Sequence, residues 1–216
     1  MNIKEIQLLS NNLNETARFY SEVMGFTIAE RHQSQISFTV GISKLTFIKT
    51  TEANCVYHFA FDIPHNKLDE ALKWLTSRVE LIAFQESNII DFPNWNAKSI
   101  YFYDNNGNVL EFIARFENRN ESIGPFESLS VISISEIALV TDHVEQLAND
   151  LLRTYDLNYY FRQIQREDFS VIGNDDGLII LVESTRNWFP TPVGVKKFPL
   201  NVMIENGNKE FKIKYE

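Results

Sequence analysis

A single cysteine, Cys55, leaves the chain without a disulfide framework or a thiolate metal cluster, and no neighbouring base marks it as reactive. No apolar run approaches the roughly 18 residues of a membrane-spanning helix. Basic residues are outnumbered, with 20 Lys and Arg against 29 Asp and Glu, and they form no block. The resulting net charge of −9 argues against nucleic acid and anionic membrane surfaces as partners. The opening segment, Met1 to Ile6, has none of the apolar character of a secretory leader. These absences lead to the expectation of a soluble, cytoplasmic protein. What is present is a chain of 216 residues with 44% apolar content, enough for one large or two small cores.

The order of signals along the chain is regular. Residues 3–9 alternate as a strand. Asn12 and Glu15 then have capping-box spacing, Leu13, Ala17, Tyr20 and Met24 recur at helical spacing, and Gly25 stands where a helix ends. Three β-rich runs come next at 26–31, 35–40 and 44–50, which makes a βαβββ unit. The order recurs with a strand at 56–63, a helix marked by Leu68, Leu72 and Leu75, and strands at 79–84, 99–103 and 109–114. After a polar linker a third unit opens with a strand at 134–139, a capping box from Asp142 to Glu145, and a helix through Val144, Ala148 and Leu151. Strands are expected at 159–165, 169–173 and 178–183. The runs at 198–204 and 210–215 are all that remains for a fourth, truncated unit. An ungapped overlay of units one and three sets Ile3, Glu5, Ile6, Leu8 and Ala17 on Ile134, Glu136, Ile137, Leu139 and Ala148, the mark of an internal repeat. The expected fold class is α+β, with repeated βαβββ units forming cupped mixed sheets and helices on their outer face. The expected division is 1–117 as one domain of two units (1–51 and 54–117), 118–130 as linker, and 131–216 as a second, truncated domain.

The segment 99–115 is the most informative. Asn106-Gly107 reads as a hairpin turn between two strands, and the second strand carries Glu111 among aliphatics. A carboxylate there faces either water or a positive charge. Strand alternation sets Glu5 with Gln7, His58 with Ala60 and Asp62, and Glu111 opposite Leu110 and Phe112, so each strand keeps its large residues on one face. Tyr101 and Tyr103 alternate against Ile100 and Phe102. Their hydroxyls either enter a cup, to orient an oxygen or donate a proton, or belong to ordinary strand tyrosines. The loop holding Trp95 and Asn96 is either a pocket wall or a closure of the core, and the segment at Trp188 is either a lid or a packed linker. His32 and His65 sit in expected turns and carry no assignment.

The repeated units, with Leu13, Ala17, Arg18, Phe19, Tyr20, Met24, Gly25 and Phe26, with residues 57–61 and with residues 103–112, resemble the vicinal oxygen chelate superfamily. That superfamily includes glyoxalase I, fosfomycin and bleomycin resistance proteins, and extradiol dioxygenases. The resemblance implies that two units pair into a cup whose divalent metal takes ligands from the first and last strands. Carried over by position, it implies the metal ligands Glu5, His58 and Glu111, with Thr46 at the fourth position. Glu5 stands where the superfamily usually has His or Gln. In the C-terminal half the same positions fall on Glu136, Ile180 and Asn201, which leads to the expectation of one N-terminal site and a second half serving as support, lid or homodimer surface. Two ionised carboxylates about 4 Å apart repel by about 4 kcal/mol at an effective dielectric near 20, and an ion of Mn, Fe, Ni, Co or Zn would relieve that. The implied function is a metal-dependent isomerase, lyase or dioxygenase acting on a small oxygen-chelating substrate. Glu5, Glu111, Tyr101 and Tyr103 are the candidate catalytic residues, and Thr46, Trp95 and Asn96 the candidate pocket residues. The alternatives are a binding protein that sequesters a small molecule without turnover, and a degenerate structural member with an empty cluster.

Overall fold

The computed structural model describes residues 1–118 and 120–216. In chain order the elements are β1 (Asn2–Ser10), α1 (Leu13–Arg18), β2 (Thr27–Arg31), β3 (Gln35–Val40), β4 (Ser43–Lys49), β5 (His58–Ile63), α2 (Leu68–Thr76), β6 (Leu81–Ile82), β7 (Ile90–Phe92), β8 (Ala97–Tyr103), β9 (Val109–Arg115), β10 (Ser133–Thr141), α3 (Val144–Tyr155), β11 (Phe169–Asn174), β12 (Gly177–Glu183), β13 (Leu200–Asn206) and β14 (Lys209–Tyr215). The α+β class and the repeated units stand. The pairing of the units differs from expectation. One sheet runs β14-β13-β1-β4-β3-β2 and the other β11-β12-β10-β5-β9-β8-β6, with β7 paired to β8. Unit one therefore pairs with the fourth unit, and unit two with unit three. Each sheet draws strands from both sides of the 118–130 segment.

Two antiparallel seams make this arrangement, β1 with β13 and β10 with β5. Both central strands carry a register shift at the same place in the repeat, between Ile3 and Glu5 and between Ile134 and Glu136. The extra residue of a bulge reverses the facing of the residues beyond it. Ile134, Ile137 and Leu139 thereby share the main core, although simple alternation would set Ile134 opposite the other two. Glu136 is turned to the other face.

One core holds one face of both sheets and the buried faces of all three helices: Ile6, Leu8, Phe47, Phe59, Phe61, Phe112, Ile137 and Leu181 from strands, Ala17, Ala71, Leu75, Ala148 and Leu151 from helices. The opposite face of the larger sheet carries a smaller cluster that includes Tyr101, Val109, Ala138, Val140, Ile180, Val182 and Trp188.

Local signals are met unevenly. Asn12 Oδ1 accepts from Glu15 N at 3.2 Å, as a cap should, and Gly25 closes the turn at φ +70°. The capping box at Asp142 does not form, because the helix begins after His143 and Asp142 accepts instead from Ser184. The strand expected at 159–165 is a loop that bridges β11 only at Tyr159. The β8–β9 connection is not a two-residue Asn-Gly turn: only Gly107 has positive φ, and the Asp104 carboxylate organises the loop. It accepts from the amides of Asn106 and Asn108 at 2.8 and 2.9 Å and from the Tyr20 hydroxyl at 2.7 Å. That last bond ties the hairpin of unit two to unit one.

Gly41 and Gly207 both adopt left-handed backbone, but a Cβ on Gly41 would lie 1.9 Å from the Ile132 carbonyl oxygen, whereas one on Gly207 meets nothing within 4 Å. Gly207→Ala is expected to cost only the conformational strain of about 1–2 kcal/mol, and Gly41→Ala several kcal/mol more. In thermal denaturation the second variant should therefore fall clearly further in Tm than the first; equal losses would show that the Gly41–Ile132 approach is not tight.

Candidate metal centre

The site arises from strand register. Glu136 on β10 is level with Ala60 on β5, Ala60 is level with Glu111 on β9, and Glu111 is level with Tyr101 on β8. Four side chains thus stand in one row across four strands, on the face opposite the main core. The Ala60 methyl leaves the space into which the two carboxylates converge. His58 lies two residues from Ala60 on the same face. Single ligand atoms of His58, Glu111 and Glu136 all lie within 4.8 Å of one another. His58 Nε2 is 3.5 Å from Glu111 Oε2, and His58 Nδ1 is 2.9 Å from the Val109 carbonyl oxygen. Since the carbonyl can only accept, Nδ1 carries the proton and Nε2 presents its lone pair to the carboxylates.

Arg115 is the one guanidinium carried by the strands of this sheet among the described residues; Arg186, from the loop that lines the cavity, is paired with Asp168. Arg115 donates to Glu136, to Asp62 Oδ1 at 3.4 Å and to Ser135 Oγ at 3.3 Å. Asp62, Glu111 and Glu136 are all buried, so three carboxylates share one Arg. The electrostatics reflect that imbalance. Burial, reinforced by the Glu111 charge and opposed by Arg115 and His58, pushes Glu136 up to about 7. Burial likewise pushes Asp62 up to about 6 against the pull of Arg115, and raises Glu111. Burial lowers His58, so the imidazole is neutral. Tyr101 is raised well above its usual value by burial and by both glutamates, which keeps its hydroxyl a donor.

His58, Tyr101, Glu111 and Glu136 line a cavity of about 210 Å³ whose other walls include Phe92, Trp95, Ile180, Trp188 and Phe189. The structure therefore places His58, Glu111, Tyr101 and Trp95 together, and four other candidates elsewhere. Glu5 lies in the six-stranded sheet, where Lys44 Nζ is 3.2 Å away and the Thr46 hydroxyl donates to it at 2.6 Å. Thr46 is buried there beside Ser37, at 2.9 Å. Tyr103 flanks the aromatic cluster without lining the cavity. Asn96 is exposed in a left-handed turn, and its carbonyl accepts from Phe116 N. Glu5 and Thr46 fall outside the site because unit one does not pair with unit two, the pairing that the sequence suggests. Glu136 belongs to the half expected to lack a site, although the internal overlay sets it on the equivalent of Glu5. His58, Glu111, Glu136 and Ile180, the positions that the internal overlay makes equivalent in units two and three, all line the cavity.

No family model matches the sequence, and no curated protein matches it. Solved structures do match. A protein of Bacillus subtilis subsp. subtilis str. 168 described as a "putative dioxygenase" superposes with a TM-score of 0.62 at 17% identity, over 99% of this chain and 84% of that one. A glyoxalase I mutant from Zea mays superposes with a TM-score of 0.55 at 12% identity, over 84% of this chain and 68% of that one. The chain has the vicinal oxygen chelate fold. In this example of the vicinal oxygen chelate fold, the six-stranded sheet meets its half-buried Glu5 carboxylate with a lysine, whereas the eight-stranded sheet leaves carboxylates in excess.

A carboxyl whose pKa is raised on folding contributes stability below its unfolded pKa, and loses that contribution as pH rises through the folded value. Glu136 and Asp62 lose theirs between about pH 4 and 7, while His58, lowered on folding, contributes in the opposite sense. In chelator, the stability of the wild type relative to Glu136→Gln is expected to fall by on the order of 2 kcal/mol between pH 5 and pH 8. Urea denaturation of both proteins at the two pH values measures it, and a pH-independent difference would contradict it.

Proposed function

We propose that this chain is a metal-dependent enzyme of the glyoxalase/dioxygenase kind, holding a divalent ion on His58, Glu111 and Glu136 and acting on a small oxygen-chelating substrate in the adjoining cup. The observation that carries this reading is three donors converging within 4.8 Å on a buried face that has more carboxylate than guanidinium. The donor set fits: one neutral imidazole with Nε2 presented and two carboxylates suit Mn²⁺, Fe²⁺, Ni²⁺, Co²⁺ or Zn²⁺. Ile180 at the fourth position supplies no ligand, which leaves room for substrate or water. When bound, such an ion supplies Lewis-acid polarisation of a substrate oxygen.

The protein groups divide the remaining work. Val109 fixes the His58 ring through its carbonyl, and Arg115 fixes Glu136 while leaving that carboxylate a second oxygen. Tyr101, protonated and level with Glu111, donates to that carboxylate and holds it in the cup. The aromatic walls exclude water, which strengthens each of these interactions. Isomerase or lyase chemistry fits this arrangement, because one of two neighbouring carboxylates can serve as a base. The same aromatic cavity supports a second reading, stoichiometric sequestration of a small apolar molecule without turnover.

Metal analysis after mild purification is expected to give about one equivalent per chain. His58→Ala and Glu136→Gln should each weaken binding by about 100-fold or more, and Glu5→Gln should leave it unchanged. Metal loss in Glu5→Gln with retention in Glu136→Gln would overturn the assignment. Substrate turnover by the loaded protein, against binding of one equivalent without product, separates the two readings.

A further inference from the structure

Two cavities meet at the loop that follows β12. Arg186, Asn187 and Phe189 line the cup and also a more open outer cavity of about 410 Å³. Arg186 is the one charged residue lining that outer cavity among the described residues. Its backbone is held, with Arg186 N donating to Glu183 O at 3.1 Å and Arg186 O accepting from Val195 N at 3.0 Å. The guanidinium carbon stands 5.4 Å from the ring centroid of Phe169, a wall of the cup. Nη1 pairs with Asp168, but that carboxylate also takes Arg166, whose Nε is 3.0 Å from Asp168 Oδ1. Two guanidiniums therefore share one carboxylate, the reverse of the excess around Arg115. The Arg186 side chain is 31% exposed, and its Nε and Nη2 have no partner among the described residues. The exposed Asn187 amide beside it has none either. The other polar side chains of the cup are engaged. Tyr101 donates to Glu111, Gln163 Oε1 accepts from Trp95 Nε1 at 3.1 Å, and Gln163 Nε2 donates to Ile164 O at 2.9 Å. Apart from the proposed ligands, the free donors of the cup collect at 186 and 187.

We propose that Arg186 and Asn187 form an anion subsite, so that the cup takes a two-ended molecule. Its oxygen-chelating head sits on His58, Glu111 and Glu136, and its far end is a carboxylate or similar oxyanion where the cup meets the outer cavity. This rests on the metal-centre reading above. Aromatic rings lead from one end to the other, with Tyr101 6.1 Å from His58 and 5.9 Å from Phe189 between centroids, so the body between the ends is flat and apolar. Asp168 orients the guanidinium and leaves it donors for a planar oxyanion.

The test uses the full chain loaded with Zn²⁺, with zinc stoichiometry measured on the same samples. The probes are 4-carboxybenzohydroxamate and 4-carbamoylbenzohydroxamate, alike in shape and chelating head and different in charge. Wild type is expected to bind the carboxylate about ten-fold more tightly than the amide, a preference that shrinks as salt is raised. Arg186→Gln is expected to keep the zinc and the affinity for the amide while losing the preference, and Arg186→Lys to recover part of it. The wild-type comparison needs no variant and stands even where Arg186→Gln folds poorly. Bound zinc with no preference in wild type, or a preference that survives in Arg186→Gln, overturns the anion subsite alone. A wild type that takes up no zinc overturns the metal-centre reading and this inference together.

Discussion

The antiparallel seam between β5 and β10 is the constraint on which the rest of the structure depends. It joins the first strand of unit two to the first strand of unit three in a register that levels Glu136 with Ala60. Because β5 is also paired with β9, the same row continues to Glu111 and Tyr101. The bulge before Glu136 then matters as much as the seam. Without the extra residue, a strand that begins by burying Ile134 in the main core would send Glu136 to that core as well. A buried carboxylate among Phe59, Phe61 and Leu181 would have no counter-charge. The bulge delivers it to the face where His58 and Arg115 stand.

The two sheets treat the same repeat position in opposite ways. In the six-stranded sheet Glu5 is answered by Lys44 and Thr46, which balances its charge within the protein. In the eight-stranded sheet Glu136 shares Arg115 with Asp62, and Glu111 has a neutral imidazole beside it. Burial raises both glutamates for that reason. Natural proteins tolerate such unbalanced buried charge chiefly at functional sites, where a ligand completes the balance.

Much of the fold was legible in the sequence, because the signals are local. The Asn12 cap and the Gly25 stop depend on neighbours within a turn, and the alternation in His58–Ile63 and Val109–Arg115 needs only period two. The signals that failed are those with a tertiary competitor. Asp142 has the spacing of a cap but bonds Ser184, 42 residues away. The Asn106-Gly107 pair looks like a two-residue turn, yet the Asp104 carboxylate makes a longer loop by drawing on Tyr20 from another unit.

The candidate site divides in the same way. The sequence by itself determined the α+β repeat, the faces on which His58 and Glu111 lie, and the roles open to His58, Glu111, Tyr101 and Trp95. It also placed Glu136 on the equivalent of a ligand position. Only the tertiary structure decided which units pair, and with that, that Glu136 rather than Glu5 meets His58. The reason is physical: facing is a property of one strand and its period, but adjacency is a property of which strand edges hydrogen-bond. Here β1 pairs with β13 and β5 with β10, and both resulting sheets pack against a shared core.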